Sequence, residues 1–334
     1  MDLRDIYAAK RRIRGVIRET PVEPSTFLNE MCGGEINLKL ENQQLTGSFK
    51  IRGALNKLLQ LSERERKRGI VAASSGNHAQ GVGYAARVIG VEATVVVPRN
   101  TPMVKIDAIK RYGVELIVHG EEYMDAERLA REMERKEGKA FISPYNDLDV
   151  IAGQGTVGIE MLEEAPDLNV ILVPVGGGGL ISGIGVAYKK AKSGAEVIGV
   201  QSVASPVMYE SVRQGRIVDM ELEESVAEGL HGDIEQGSVT FDLCRDLVDE
   251  IVLVREESIK RAMSLLLTRQ HQVVEGAGAV GVAAIMEDPE RFRGGRVGVV
   301  VSGGNVDDSL MREITSTYTN VHRMPTKHMG SLDS

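Results

Sequence analysis

Seven short β-branched runs punctuate the chain: Ile70–Ala72, Ala93–Val97, Leu116–Val118, Val170–Val173, Val197–Val200, Ile251–Val254 and Val297–Val301. Several are apolar without alternation, as expected of strands covered on both faces. Helix-period stretches lie between them. After Glu256, residues Ile259, Ala262, Met263, Leu266 and Leu267 share one stripe, and Tyr84, Ala85, Val88 and Ile89 do the same before Gly90 stops the helix. Strand-helix alternation over most of the chain predicts an α/β protein with a largely parallel sheet. There is no repeat of 20–50 residues and no low-complexity linker. Beyond Thr319 the periodicity fades, so residues 321–334 read as a loosely held tail.

Composition narrows this picture without redirecting it. At 334 residues the chain suits one large domain or two lobes. Hydrophobic residues make up 42% and charged residues 26%, the balance of a globular protein. The net charge of −8, with no basic block, argues against a nucleic-acid partner. Cys32 and Cys244 are far apart and belong to no CxxC pair, which excludes a zinc motif and a disulfide framework and suits a reducing compartment. The charged, helix-like start MDLRDIYAAKRRIRG is no secretory signal, and no apolar run approaches the roughly 18 residues of a bilayer span. A cytoplasmic location is expected, with no membrane partner.

Chemistry concentrates in four loops, three of which follow a strand, where α/β folds bind ligands. The first, Val175-Gly176-Gly177-Gly178-Gly179-Leu180, lets successive backbone N–H groups converge at a helix start. A plain turn needs one or two glycines, not four. Without the GxxxxGK[ST] pattern the loop suits a lone phosphate monoester better than a nucleotide. The second, Ser74-Ser75-Gly76-Asn77-His78, offers Ser74 or Ser75 as a helix cap and amides for a small carboxylate. The third, Ser302-Gly303-Gly304-Asn305, is a weak signal alone. In the fourth, Thr46-Gly47-Ser48 reads as turn and cap, and Lys50 falls in the first turn of a helix running from Phe49 to Gln60. The macrodipole disfavours a cation there, a local conflict suited to a catalytic amine of lowered pKa.

A GxGxxG match at Gly276–Gly281 invites a dinucleotide reading, but a helical pattern precedes it and Val301 stands where an acid is required. Close helix packing, with Glu275 near a pocket, is the better expectation.

Together, Ser48-Phe49-Lys50-Ile51-Arg52-Gly53, Ser74 to His78, Gly176 to Gly179 and Ser302 to Asn305 resemble the threonine dehydratase and serine racemase family of fold-type II pyridoxal-phosphate enzymes. The likeness runs from about residue 4 to about residue 315 and includes Val150–Thr156 and Glu275–Gly278. It implies a tryptophan synthase β-like architecture of two open, twisted, largely parallel sheets with helices on both faces. A large cofactor-binding lobe would comprise residues 1–52 and 149–320, and a small lobe residues 53–148. The resemblance implies that Lys50 carries pyridoxal 5'-phosphate as a Schiff base and then acts as base on the α-proton. Phe49 would stack on the ring, Asn77 bind its hydroxyl, Gly176 to Gly179 with Leu180 hold the phosphate, and Glu275 and Ser302 complete the cofactor site. Ser302, a neutral hydroxyl at the pyridine nitrogen, would favour loss of a β-substituent over transamination. Ser74, Ser75, Gly76, Asn77 and His78 would clasp the substrate carboxylate.

The implied reaction is dehydration and deamination of L-threonine to 2-oxobutyrate and of L-serine to pyruvate. Within the family, Ser75 resembles the racemases, where a hydroxyl opposite Lys50 returns a proton. Gln201 stands where racemases carry an acid for a divalent ion, and Ile198–Gln201 with Glu275–Ala279 look like the catabolic dehydratases, so no metal is expected. Dehydratase is therefore favoured, with serine racemase or threo-3-hydroxyaspartate dehydratase as the alternative and a nucleotide-binding regulator as a remote one. Relatives lead us to expect a homodimer or homotetramer.

Overall fold

The computed structural model describes residues 1–191 and 194–318; the expected tail at 321–334 lies outside them. Ten strands form two sheets among the described residues. In chain order they are β1 (Val22–Pro24), β2 (Glu35–Leu40), β3 (Ile70–Ala73), β4 (Ala93–Val97), β5 (Glu115–Val118), β6 (Ala140–Phe141), β7 (Val170–Pro174), β8 (Glu196–Ser202), β9 (Glu250–Val254) and β10 (Arg296–Val301). All seven β-branched runs become strands. The periodicity missed β1, β2 and β6, which are short or, in β2, interrupted by Asn37 and Lys39.

The larger sheet runs β1-β2-β10-β7-β8-β9 and the smaller β5-β4-β3-β6. Every pairing is parallel except β1 with β2. Apolar side chains leave both faces of each sheet, which is why these strands do not alternate. One face of the larger sheet packs on helices Glu256–Arg269 and Gly276–Glu287, the other on Leu148–Glu164, Gly179–Ala191 and Val239–Leu247. Around the smaller sheet, helix Tyr123–Glu137 covers one face and helices Lys50–Leu59, Asn77–Ile89 and Met103–Lys110 gather on the other. The fold class is thus α/β, with two largely parallel sheets.

Helix Lys50–Leu59 lies between the two halves, touching helices Asn77–Ile89 and Leu148–Glu164. Bare backbone makes this possible. A Cβ on Gly81 would stand 3.0 Å from Lys50 C, and one on Gly153 2.6 Å from Gly53 Cα. Beneath the helix, Arg52 is fully buried and its guanidinium forks between Glu41 (2.8 Å) and Glu160 (2.5 Å), while buried Lys39 also reaches Glu160 at 2.7 Å. Two cations and two carboxylates neutralise one another out of water, so each depends on the others. This network ties the Lys50 helix to β2 and to helix Leu148–Glu164.

The glycine-rich stretch Gly276–Gly281 lies inside a helix, not after a strand. A Cβ on Gly281 would come within 2.6 Å of Val299 Cγ1, and one on Gly278 within 2.6 Å of Gly303 O. Helix packing explains these glycines.

Candidate active site

The chain after β10 and the helix after β3 meet the start of the Lys50 helix, and the loop after β7 joins them through Tyr145, the neighbour of Pro144. After β10, Gly303 bridges Ser48, and Phe49 N–H donates to Ser302 O at 3.2 Å. Gly304 N–H donates to Gly47 O at 2.9 Å. The Ser302–Asn305 loop and the Thr46–Lys50 segment are therefore zipped backbone to backbone. Phe49, not Ser48, is the helix N-cap and makes no side-chain cap bond; the Ser48 hydroxyl is buried with no partner. The expected serine cap is displaced by one residue: Phe49, already at helical φ −60° and ψ −18°, takes the cap position, and Ser48 stays in the bridge to Gly303.

Lys50 keeps some solvent access, and its Nζ donates to the Pro144 carbonyl at 3.0 Å, with the Phe49 ring centroid 5.2 Å away. Burial pushes its pKa down to about 8, against the opposing charge of Glu275. The lowered pKa anticipated from the helix position arises mainly from desolvation.

Beside it, after β3, the second loop enters helix Asn77–Ile89 through Gly76. Neither serine caps the helix. Ser74 Oγ instead accepts from Gly76 N–H at 3.2 Å, a local turn that leaves the amides of Ser75, Asn77 and His78 without acceptors among the described residues. The His78 side chain turns inward, 3% exposed, with Nε2 on the Ile142 carbonyl at 2.8 Å and Nδ1 unpartnered. Burial, with Lys50 nearby, pushes its pKa down to about 3, so it is neutral. Asn77 is held at both ends: Nδ2 donates to Glu275 Oε1 at 2.7 Å, and Oδ1 accepts from Asn305 Nδ2 at 2.7 Å. Glu275, just before helix Gly276–Glu287, has its pKa pushed up to about 7 by burial, with Glu228 adding and Asn77, Lys105 and Lys50 opposing.

The glycine loop follows β7. Gly178 sits at φ +84°, a conformation L side chains avoid. A Cβ on Gly177 would lie 2.5 Å from the Tyr145 ring, on Gly179 3.0 Å from Tyr145 Cα, and on Gly176 3.0 Å from Leu230 Cα. The amides of Gly176 to Gly179 find no protein acceptor among the described residues. Thr240 fixes the loop by donating to Gly177 O at 2.6 Å. Leu180 is buried in the core, so it can offer the site only its amide.

Sequence reasoning missed several contributors. Tyr145 backs the glycine cradle and Pro144 receives Lys50; both belong to the loop after β6, a strand of two residues too short to register as a pattern. Thr240 belongs to no motif, and Arg52, though inside the Ser48–Gly53 motif, gave no sign of its buried partners Glu41 and Glu160. Gln201 is buried, accepting from Tyr209 N–H at 2.7 Å.

An amide cradle that any side chain would fill, a lysine of lowered pKa and a polar strand end opposite it fit an aldehyde-bearing phosphate ester. The chain belongs to the pyridoxal-phosphate dependent enzymes, whose family model matches residues 13–303. It is 47% identical over 312 residues to an L-threonine ammonia-lyase of Thermotoga maritima, covering 93% of this chain and 77% of that one. It is 42% identical to a catabolic L-threonine dehydratase of Escherichia coli K12, covering 93% and 95%. Maize serine racemase superposes with a TM-score of 0.89 at 33% identity, covering 97% and 99%.

Proposed function

We propose that the chain is an L-threonine ammonia-lyase, converting L-threonine to 2-oxobutyrate and ammonia and L-serine to pyruvate and ammonia. One observation carries the reading: the Lys50 amine, of lowered proton affinity, donates to the Pro144 carbonyl, and the next residue, Tyr145, packs against Gly177 and Gly179 of the open-amide loop. Pyridoxal phosphate, when bound, supplies the electron sink that makes an α-proton removable.

The rest falls to the protein. The amides of Gly176, Gly177, Gly178, Gly179 and Leu180 hold the phosphate, aided by the positive end of helix Gly179–Ala191. Phe49 would pack against the ring, Asn77, held by Glu275, would bond its hydroxyl, and Ser302 would lie at its nitrogen. The open amides of Ser75, Asn77 and His78 at another helix start take the substrate carboxylate, with Ser74 and Gly76 shaping the loop. Lys50 Nζ would hold the cofactor and, once released from it, would be the base for the α-proton. With a pKa near 8 it is a far better base at neutral pH than an ordinary lysine. Residues 53–148 would form a small lobe and residues 1–52 with 149–320 a large one, closing to exclude water.

Two buried, unpaired cysteines support a cytoplasmic setting, and no described helix is long and apolar enough to cross a membrane. A homodimer or homotetramer is the expected assembly. A panel of L-threonine, L- and D-serine and threo-3-hydroxyaspartate, scored for oxo acid and enantiomer, tests the assignment; no oxo acid from L-threonine would overturn it.

Ser75 favours a second reading, serine racemase activity. Its hydroxyl is half-buried and makes no hydrogen bond among the described residues, leaving it available to return a proton. Ser75→Ala should abolish any racemisation and spare elimination.

A further inference from the structure

Asn305 closes the Ser302–Asn305 motif with no role assigned to its own side chain, yet that side chain joins two other segments. Its Nδ2 donates to Asn77 Oδ1 at 2.7 Å and to the Thr46 carbonyl at 2.8 Å. Those partners come from different parts of the fold: Asn77 opens the helix after β3, Thr46 lies in the turn before Lys50, and Asn305 follows β10. Gly47 makes the approach possible. Its φ is +71°, and a Cβ there would stand 2.5 Å from Asn305 Oδ1.

A carboxamide can be inserted either way round, and its two faces look alike by shape. Asn77 is set by its neighbours. Glu275 offers an acceptor to Nδ2 and Asn305 a donor to Oδ1, so only one orientation satisfies both. We propose that Asn305 is a positioning residue that fixes the orientation of Asn77 across the cleft and so sets how Asn77 meets the pyridoxal ring hydroxyl. This rests on the reading of Asn77 as a cofactor contact.

Asn305 is exposed, so the fold does not need it for core packing. Its two acceptors are both carbonyl oxygens. An isosteric aspartate would fill the same space yet aim a carboxylate at them, beside Glu275. Hydrogen-bond direction and shape therefore predict opposite rankings of two substitutions.

The experiment compares wild type, Asn305→Ala, Asn305→Asp and Asn77→Ala. Each resolved apoenzyme is titrated with pyridoxal phosphate by absorbance and fluorescence, and its melting temperature without cofactor is the control for folding. Asn305→Ala should weaken cofactor binding about fivefold, the loss of one exposed hydrogen bond, and Asn305→Asp on the order of tenfold or more. Melting temperatures without cofactor should stay near wild type. If Asn305→Asp binds cofactor as well as wild type, or better than Asn305→Ala, Asn305 only fills space and the proposal fails. If Asn77→Ala itself leaves cofactor binding and the absorbance maximum unchanged, the underlying reading of Asn77 fails instead.

Discussion

Competitive acetylation of the apoenzyme with acetic anhydride reads the proton affinity of Lys50 directly. Burial holds its pKa near 8, whereas an ordinary lysine titrates at 10.5. At pH 7 roughly 9% of Lys50 is then unprotonated, against about 0.03% of an ordinary lysine, a ratio of about 300. Lys57, paired with Asp147 at 2.7 Å and Asp149 at 3.1 Å and shifted upward, is the internal reference. Labelling of each lysine is followed by mass spectrometry between pH 6.5 and 10. Partial burial slows any reagent, so the readout is the shape of the curve and not its height. Lys50 labelling should rise about tenfold per pH unit at first, bend near pH 8 and level off, while Lys57 rises throughout. The Glu275 charge opposes the lowering. Glu275→Gln should therefore move the bend to lower pH. A curve that climbs without bending past pH 9.5 would refute burial as the source of the base; a bend that Glu275→Gln leaves in place would refute the opposing charge of Glu275.

Three further outcomes follow from the same geometry. Gly177→Ala drives a methyl into the Tyr145 ring and should weaken cofactor binding roughly tenfold to a hundredfold in an apoenzyme titration, with little change in melting temperature without cofactor. Arg52→Met leaves Glu160 with Lys39 alone and buried Glu41 with no cation partner among the described residues, and should cost about 3–5 kcal/mol in urea unfolding; a loss below about 1 kcal/mol would mean the network relaxes into water. Glu275 has its folded pKa raised to about 7, so between pH 4.5 and 7 the folded state holds a proton that the unfolded chain has lost. Stability should fall as pH rises through that window, and the Glu275→Gln protein should lack this fall in melting curves of the apoenzyme.

The sequence by itself determined the fold class and the location of the chemistry. Doubly covered parallel strands must be apolar without alternation, so β3, β4, β7 and β10 stand out in one dimension. Glycine runs and polar clusters at strand ends are equally local, because they answer local demands: φ +84° at Gly178, or an amide cradle too tight for any Cβ. What partners a side chain acquires is not local. Ser48 and Ser75 carry cap-forming hydroxyls, but Phe49 and Gly76 take the cap positions in the packed chain. The helix position of Lys50 hinted at a perturbed amine; its desolvation, and the Pro144 carbonyl that receives it, come from segments about ninety residues away. Arg52, Tyr145 and Asn305 have ordinary neighbours in the chain. Only tertiary structure sets Arg52 between two buried carboxylates, Tyr145 behind the glycines, and Asn305 against Asn77, since burial and hydrogen-bond direction belong to the packed fold and not to the order of residues.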